Sequence, residues 1–138
     1  MPRTLLAGLL ALAATTTAFA QGGTLIVLNK SEASASILDR ATGAEIATLP
    51  TGAGPHEVAV TPDGPRAVVA DYGDREPGST LTILNLELLK VDGKVELLGL
   101  HRPHGIVILP DGNVLVTCEQ EQAVAIVDLE RRTVVRTI

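Results

Sequence analysis

Tryptophan is absent from this chain of 138 residues, and cysteine, methionine, tyrosine and phenylalanine occur once each. Phe19 lies in the amino-terminal segment, so Tyr72 is the one large ring left for the rest of the chain. Any core must therefore be filled by Val, Ile, Leu and Ala. The single Cys118 excludes a disulfide within the chain, even in an oxidising compartment. It reads as a buried, inert thiol, because a nucleophilic cysteine needs a base that no motif here supplies. Excess positive charge is missing too. Without Arg3, ten basic residues face sixteen acidic ones, which excludes nucleic acid as the main partner. The only adjacent basic pair, Arg131-Arg132, reads as an exposed turn.

Catalytic signatures are equally scarce. The chain contains no Gly-x-Ser-x-Gly elbow, no phosphate-cradling glycine loop and no zinc pattern of close cysteines or histidines. No catalytic residue, metal or cofactor is indicated. No stretch carries sustained helical periodicity, and the longest apolar run, Leu5 to Ala14, is too short to span a bilayer. That run has Arg3 before it and Ala18-Phe19-Ala20 after it, the pattern of a secretory signal peptide over residues 1–20, cleaved after Ala20. The mature protein, 21–138, is then expected in the periplasm or secreted, with no membrane anchor after cleavage.

What is present is a repeat. Gly54-Pro55-His56-Glu57-Val58-Ala59-Val60-Thr61-Pro62-Asp63-Gly64 recurs 48 positions later as Arg102-Pro103-His104-Gly105-Ile106-Val107-Ile108-Leu109-Pro110-Asp111-Gly112. Each copy is a Pro-His, a short β-branched run and a Pro-Asp-Gly turn. Proline presets φ, aspartate bonds its own backbone and glycine accepts positive φ. Residues 62–64 and 110–112 are thus structural turn motifs, and Asp63 and Asp111 are not a catalytic pair.

Eleven short strands follow from the punctuation: 24–29, 34–39, 45–49, 58–61, 66–71, 80–86, 95–100, two from the second repeat unit, 123–129 and 133–138. Gly73 to Gly78 is expected as a polar loop longer than its counterparts. Leu86 to Lys90 is too short for a helix, and Asp92-Gly93 reads as a turn. Asp39, Asn85 and Asp128, at equivalent strand ends, are expected to bond the turn that follows. The strands fall into groups of four, A to D, with A after Pro-His. Four-stranded units at this period are β-propeller blades; a β-sandwich also fits short, evenly spaced strands.

Pro-His-x-Val-Ala-Val-x-Pro-Asp-Gly, then Ala-Val-Val-Ala-Asp-Tyr-Gly and Leu-Thr-Ile-Leu-Asn, resembles the YVTN-repeat (YncE-like) β-propeller family over residues 24–138. Val69-Ala70-Asp71-Tyr72 and Val116-Thr117-Cys118-Glu119 are loose versions of its Tyr-Val-Thr-Asn. The resemblance implies an exported ring of about seven blades. The absence of tryptophan points away from WD40 repeats and from tryptophan-docked quinoprotein propellers. The expected fold is all-β, with three four-stranded blades at about 24–50, 56–100 and 104–138, the first lacking its inner strand. Since a ring needs at least about four blades, the expectation is an amino-terminal part of a longer propeller, with ring assembly from several copies the alternative.

His56 and His104 hold one repeat position at the start of the innermost strand, where blades converge on the channel. The B-to-C loop residues Asp74, Arg75 and Glu76 belong to the same face. These five are the ligand-binding candidates, because histidine can be ligand, donor or acceptor near neutral pH. The structural alternative is that each histidine pins its loop. His101, which has no counterpart, is expected at the surface. Two function classes follow: a non-enzymatic scaffold binding an unknown small molecule or protein, and a propeller enzyme, lactonase-like hydrolase or haem d1-like oxidoreductase, completed by further blades.

Overall fold

A computed structural model of the chain describes residues 22–138. The expected signal segment lies outside the described residues. Eleven strands run β1 (Thr24–Asn29), β2 (Ser34–Asp39), β3 (Glu45–Pro50), β4 (Pro55–Val60), β5 (Arg66–Gly73), β6 (Pro77–Asn85), β7 (Lys90–Glu96), β8 (Pro103–Ile108), β9 (Val114–Cys118), β10 (Ala123–Asp128) and β11 (Thr133–Thr137), with one 3-10 turn at Lys30–Glu32. They form three antiparallel sheets, β1-β2-β3, β4-β5-β6-β7 and β8-β9-β10-β11. This is the all-β, partial-propeller architecture, one sheet per blade. The first sheet contains the B, C and D strands alone.

The blades stack through their faces. One core cluster joins Ala35, Ile37 and Leu49 of the first sheet to Ala67, Val69 and Leu84 of the second. Another joins Val68, Ala70, Leu81, Ile83 and Val95 of the second to Val114, Val116, Ala125 and Val127 of the third. Successive residues of β5 thus face opposite neighbours, as the two-residue period of a strand requires. Small aliphatic side chains suit this interface, and each fully buried Val, Leu or Ile contributes about 1.5–3 kcal/mol.

The turns follow the residues. Gly64 and Gly112, at φ 90° and 86°, close the Pro-Asp-Gly turns, and their amides donate to Thr61 O and Leu109 O at 2.8 and 2.9 Å. At the start of the three C-to-D turns, Asp39 accepts from the amides of Ala41 and Thr42, Asn85 from those of Glu87 and Leu88, and Asp128 from that of Arg131. Four residues after each comes a left-handed residue, Gly43, Leu89 or Arg132. These bonds hold the Asp39 and Asp128 carboxyls below the usual range, the first through Thr42 and the second through Arg131.

Three boundaries differ from expectation, the first being β4, which starts at Pro55 rather than Val58. The seventh strand is Lys90–Glu96, not 95–100, and Asp92-Gly93 is no turn. The pairing shifts register between Ile83 and Leu84, which face Gly93 and Val91, leaving Asp92 bulged out. Gly93 takes φ 149° there, and a Cβ on it would meet Arg132 Nη1 at 2.5 Å. Arg132 Nη2 donates to the Asp92 carbonyl at 2.7 Å, so the pair that looked like a turn is a bulge on which the next blade docks. The C-to-D turn falls instead at Leu86–Leu89. The polar loop is likewise shorter than expected, since β5 runs to Gly73 and β6 starts at Pro77. Only Asp74, Arg75 and Glu76 remain at the hairpin tip.

Candidate functional site

Register makes positions comparable between blades. Asn29 and Cys118 end β1 and β9, and Asp71 is the matching position of β5, two residues before its end; Lys30, Tyr72 and Glu119 follow them. The D-to-A loops match as well: Tyr72 N donates to Gly54 O, and Glu119 N to Arg102 O, each at 3.2 Å. Gly54 and Arg102 both take left-handed φ, 58° and 53°.

These positions converge at one end of the inner strands. His56 on β4 and His104 on β8 meet edge to face, with ring centroids 4.3 Å apart. Tyr72 lies 5.2 Å from the His56 ring and 5.8 Å from the His104 ring. Lys30 and Arg102 both sit over the Tyr72 ring, at 5.2 and 4.9 Å from its centroid. The Tyr72 hydroxyl donates to Glu119 Oε2 at 2.8 Å. Glu57 Oε1 lies 3.9 Å from His104 Nδ1, and Glu119 Oε1 3.8 Å from His104 Nε2. Lys30 of the first blade thus lies beside His56 of the second, and Tyr72 of the second lies between His56 of its own blade and His104 of the third.

The electrostatics are uneven across this surface. Lys30 Nζ approaches His56 Nδ1 at 3.5 Å. Partial burial, then the Lys30 charge and then His104, hold the His56 pKa below its ordinary value, against the pull of Glu57 and Glu119. The hydrogen bond to Glu119, with burial, raises the Tyr72 pKa. Cation–π contact holds the Lys30 and Arg102 charges against the Tyr72 ring.

Of the five candidates read from the sequence, the structure brings His56 and His104 together. Asp74 joins only through its carbonyl, 3.4 Å from both Nη atoms of Arg102. Its carboxylate instead accepts from the amides of Arg75 and Glu76, and those two side chains remain exposed at the tip. His101 is not a free surface residue. Its amide and Nδ1 both engage the Glu121 carboxylate, at 2.6 and 2.8 Å, and this holds the Glu121 carboxyl below its usual range. Cys118 is buried, 1% exposed, and burial pushes its thiol up to about 11. Among the described residues no group of three His, Cys, Asp or Glu is close enough to hold a metal.

Sequence reasoning missed Lys30, Glu57, Tyr72, Arg102 and Glu119. Lys, Tyr and Glu occupy one structural position in three blades, so a search for recurring residue types passes over it. Counting positions from the end of each B strand was the signal that could have found them. At the opposite end lie two clefts. One, of about 330 Å³, is lined by Thr61, Pro62, Arg66 and Asp111; the other, of about 400 Å³, by Arg66, Asn113, Asp128 and Arg131. Their residues are turn formers already engaged with backbone, and Arg66 is paired with Glu130 at 2.7 Å.

No family model matches the chain, and no curated protein does. Solved structures do. The hydrazine synthase of Kuenenia stuttgartiensis matches with a TM-score of 0.73 and 26% identity, over 83% of this chain and 32% of that one. The dihydro-heme d1 dehydrogenase NirN, in complex with DHE, matches with a TM-score of 0.70 and 22% identity, over 83% and 24%. The WD40 β-propeller domain of Doa1 matches with a TM-score of 0.66 and 14% identity, over 83% and 36%. The neighbours are β-propellers, two from enzymes and one from a WD40 domain, and this chain spans about a third or less of each.

Proposed function

We propose that the chain is the blade-bearing part of an exported β-propeller of the YVTN-repeat, YncE-like kind, a scaffold that binds a small molecule or protein on the face formed by its D-to-A and B-to-C loops. The observation that carries this reading is the convergence of His56, Tyr72, His104 and their charged neighbours from three blades on one end of the inner strands. Equivalent positions around one axis let a modest contribution per blade add up at a channel mouth. The structural neighbours extend well beyond the matched region, which accords with further blades completing the ring. Fold alone does not assign an activity.

The test replaces His56 and His104 together with alanine in the full-length protein. Binding of ligands found by a thermal-shift screen is then compared with the melting temperature. Lost binding at an unchanged melting temperature is expected; lost stability instead would make the histidines loop pins. Export is tested separately by mass spectrometry of the periplasmic or secreted protein. An amino terminus at Gln21 is the expected result, and soluble protein retaining Met1 would refute it.

A second reading, an oxidoreductase of the haem d1 type, takes its support from the dehydrogenase and synthase among the neighbours. Absorption spectra of the full-length protein titrated with haem decide it, a Soret band retained through gel filtration being required.

A further inference from the structure

We propose that Lys30 and Arg102, set over the ring of Tyr72, form a seat for an oxyanion, the carboxylate or phosphate group of a small molecule. This rests on the reading of the channel-mouth face as the ligand site, and names the chemistry it would take.

The argument begins with what the two cations do in the fold. Among the described residues, neither has a carboxylate oxygen within 4.0 Å, whereas Arg66, Arg131 and Arg132 each do. Their hydrogen bonds are long: Lys30 to His56 Nδ1 at 3.5 Å, and Arg102 to the Asp74 carbonyl at 3.4 Å through both Nη atoms. Bonds of that length are weak, so most of the donor capacity is unspent. Both cations are held against one ring by cation–π contact, which fixes position without neutralising charge. They come from different blades, Lys30 from the first and Arg102 from the loop into the third, and a ligand touching both bridges the stack.

The carboxylates of the cluster are occupied elsewhere. Glu119 accepts the Tyr72 hydroxyl, and Glu57 and Glu119 lie within 4 Å of the two His104 nitrogens. The two cations, Lys30 and Arg102, thus share the Tyr72 ring, while Glu57 and Glu119 lie against His104. The His56 ring lies beside Lys30, with Nδ1 toward Nζ at 3.5 Å, and its ring N–H is a further donor for an anion. Arg102 presents a planar fork suited to carboxylate and phosphate alike.

Tyr72 supplies the readout, since the chain has no tryptophan and one tyrosine. The full-chain protein is titrated with sodium phosphate, and separately with sodium succinate, while tyrosine emission is followed at ionic strength held constant with sodium chloride. The expected result is a saturable change with at least one anion. Lys30→Gln and Arg102→Gln should each weaken it about tenfold or more, and Arg102→Lys, which keeps the charge but not the planar fork, should weaken it less than Arg102→Gln does. Glutamine suits position 102 because Gln122 already holds φ 54° in this fold. Response to phosphate alone assigns a phosphate group, and response to succinate alone a carboxylate. The proposal is overturned if neither anion gives saturation, or if either glutamine variant binds as the parent does. The wider reading of the face fails independently, by retention of ligand binding in the histidine double variant.

Discussion

The second and third blades solve one structural node in opposite ways. Near the end of β5, Asp71 is buried, 1% exposed. Its Oδ2 accepts from the hydroxyls of Thr80 and Thr82 at 2.7 and 2.8 Å, and its Oδ1 from the amide of Gly52 at 2.9 Å. In the third blade the matching residues are Cys118, Ala123 and Ala125, and the matching loop position is Leu100, which packs against the cluster that holds Cys118. Polar in one blade, the node is apolar in the next, with every member exchanged. The first blade offers a neutral version, Asn29 donating to Ser34 and Ser36 at 3.1 and 3.0 Å. The fold thus requires a filled, internally satisfied node, and is indifferent to whether hydrogen bonds or packing fill it. A node of mixed parentage is what it will not accept.

The largest break in that comparison is Gly52→Leu, which places the third blade's loop residue in the second. A Cβ at position 52 would lie 2.4 Å from Asp71 Cγ. We expect a loss of about 3 kcal/mol or more in urea unfolding of the full-length protein, the range of overpacking joined to a broken buried network. Adding Asp71→Cys, Thr80→Ala and Thr82→Ala should recover most of it, the non-additivity that marks one coupled unit. A loss unchanged in that background would mean the node is not a unit.

Next in size is Asp71→Ala. It leaves the Gly52 amide and the Thr80 and Thr82 hydroxyls without their acceptor, and should cost about 1–3 kcal/mol by the same measurement.

The smallest effect is Asp71→Asn, which copies the first blade. Burial holds the Asp71 carboxyl above its ordinary value, against the pull of Thr80, Thr82 and Gly52. The folded state therefore binds this proton more tightly than the unfolded one. Its contribution to stability is full below the unfolded carboxyl pKa of about 3.9, and is lost as pH rises through the higher folded value. Asparagine removes that dependence. The stability of Asp71→Asn relative to the parent should rise with pH across this window and level off above it. A difference that is flat with pH would show the carboxyl to be unperturbed.

The parts of this picture differ in how far they could be read in advance. The Pro-Asp-Gly turns, the Asx-capped turns after Asp39 and Asp128 and the buried thiol of Cys118 were legible because each depends on a residue and its near neighbours along the chain. The misplaced seventh strand shows where local reading fails. Asp92-Gly93 has turn chemistry, yet Arg132 of the next blade captures it as a bulge, and no local pattern reports a partner forty positions away. His101 does lie at the surface, but its pairing with Glu121 is hidden from local reading for the same reason, since Glu121 lies in another turn.

By itself the sequence determined the repeat, the blade as its unit, the all-aliphatic core and the placing of His56 and His104 at equivalent positions. Those follow from periodicity, turn residues and composition, which act within one blade. Only the tertiary structure decided which side chains meet around His56 and His104. Lys30, Tyr72 and Glu119 share a position but no residue type, and Arg102 reaches Tyr72 from a different blade. Contacts between blades depend on how sheets stack, and stacking sets distances between residues that the chain's own order leaves unrelated.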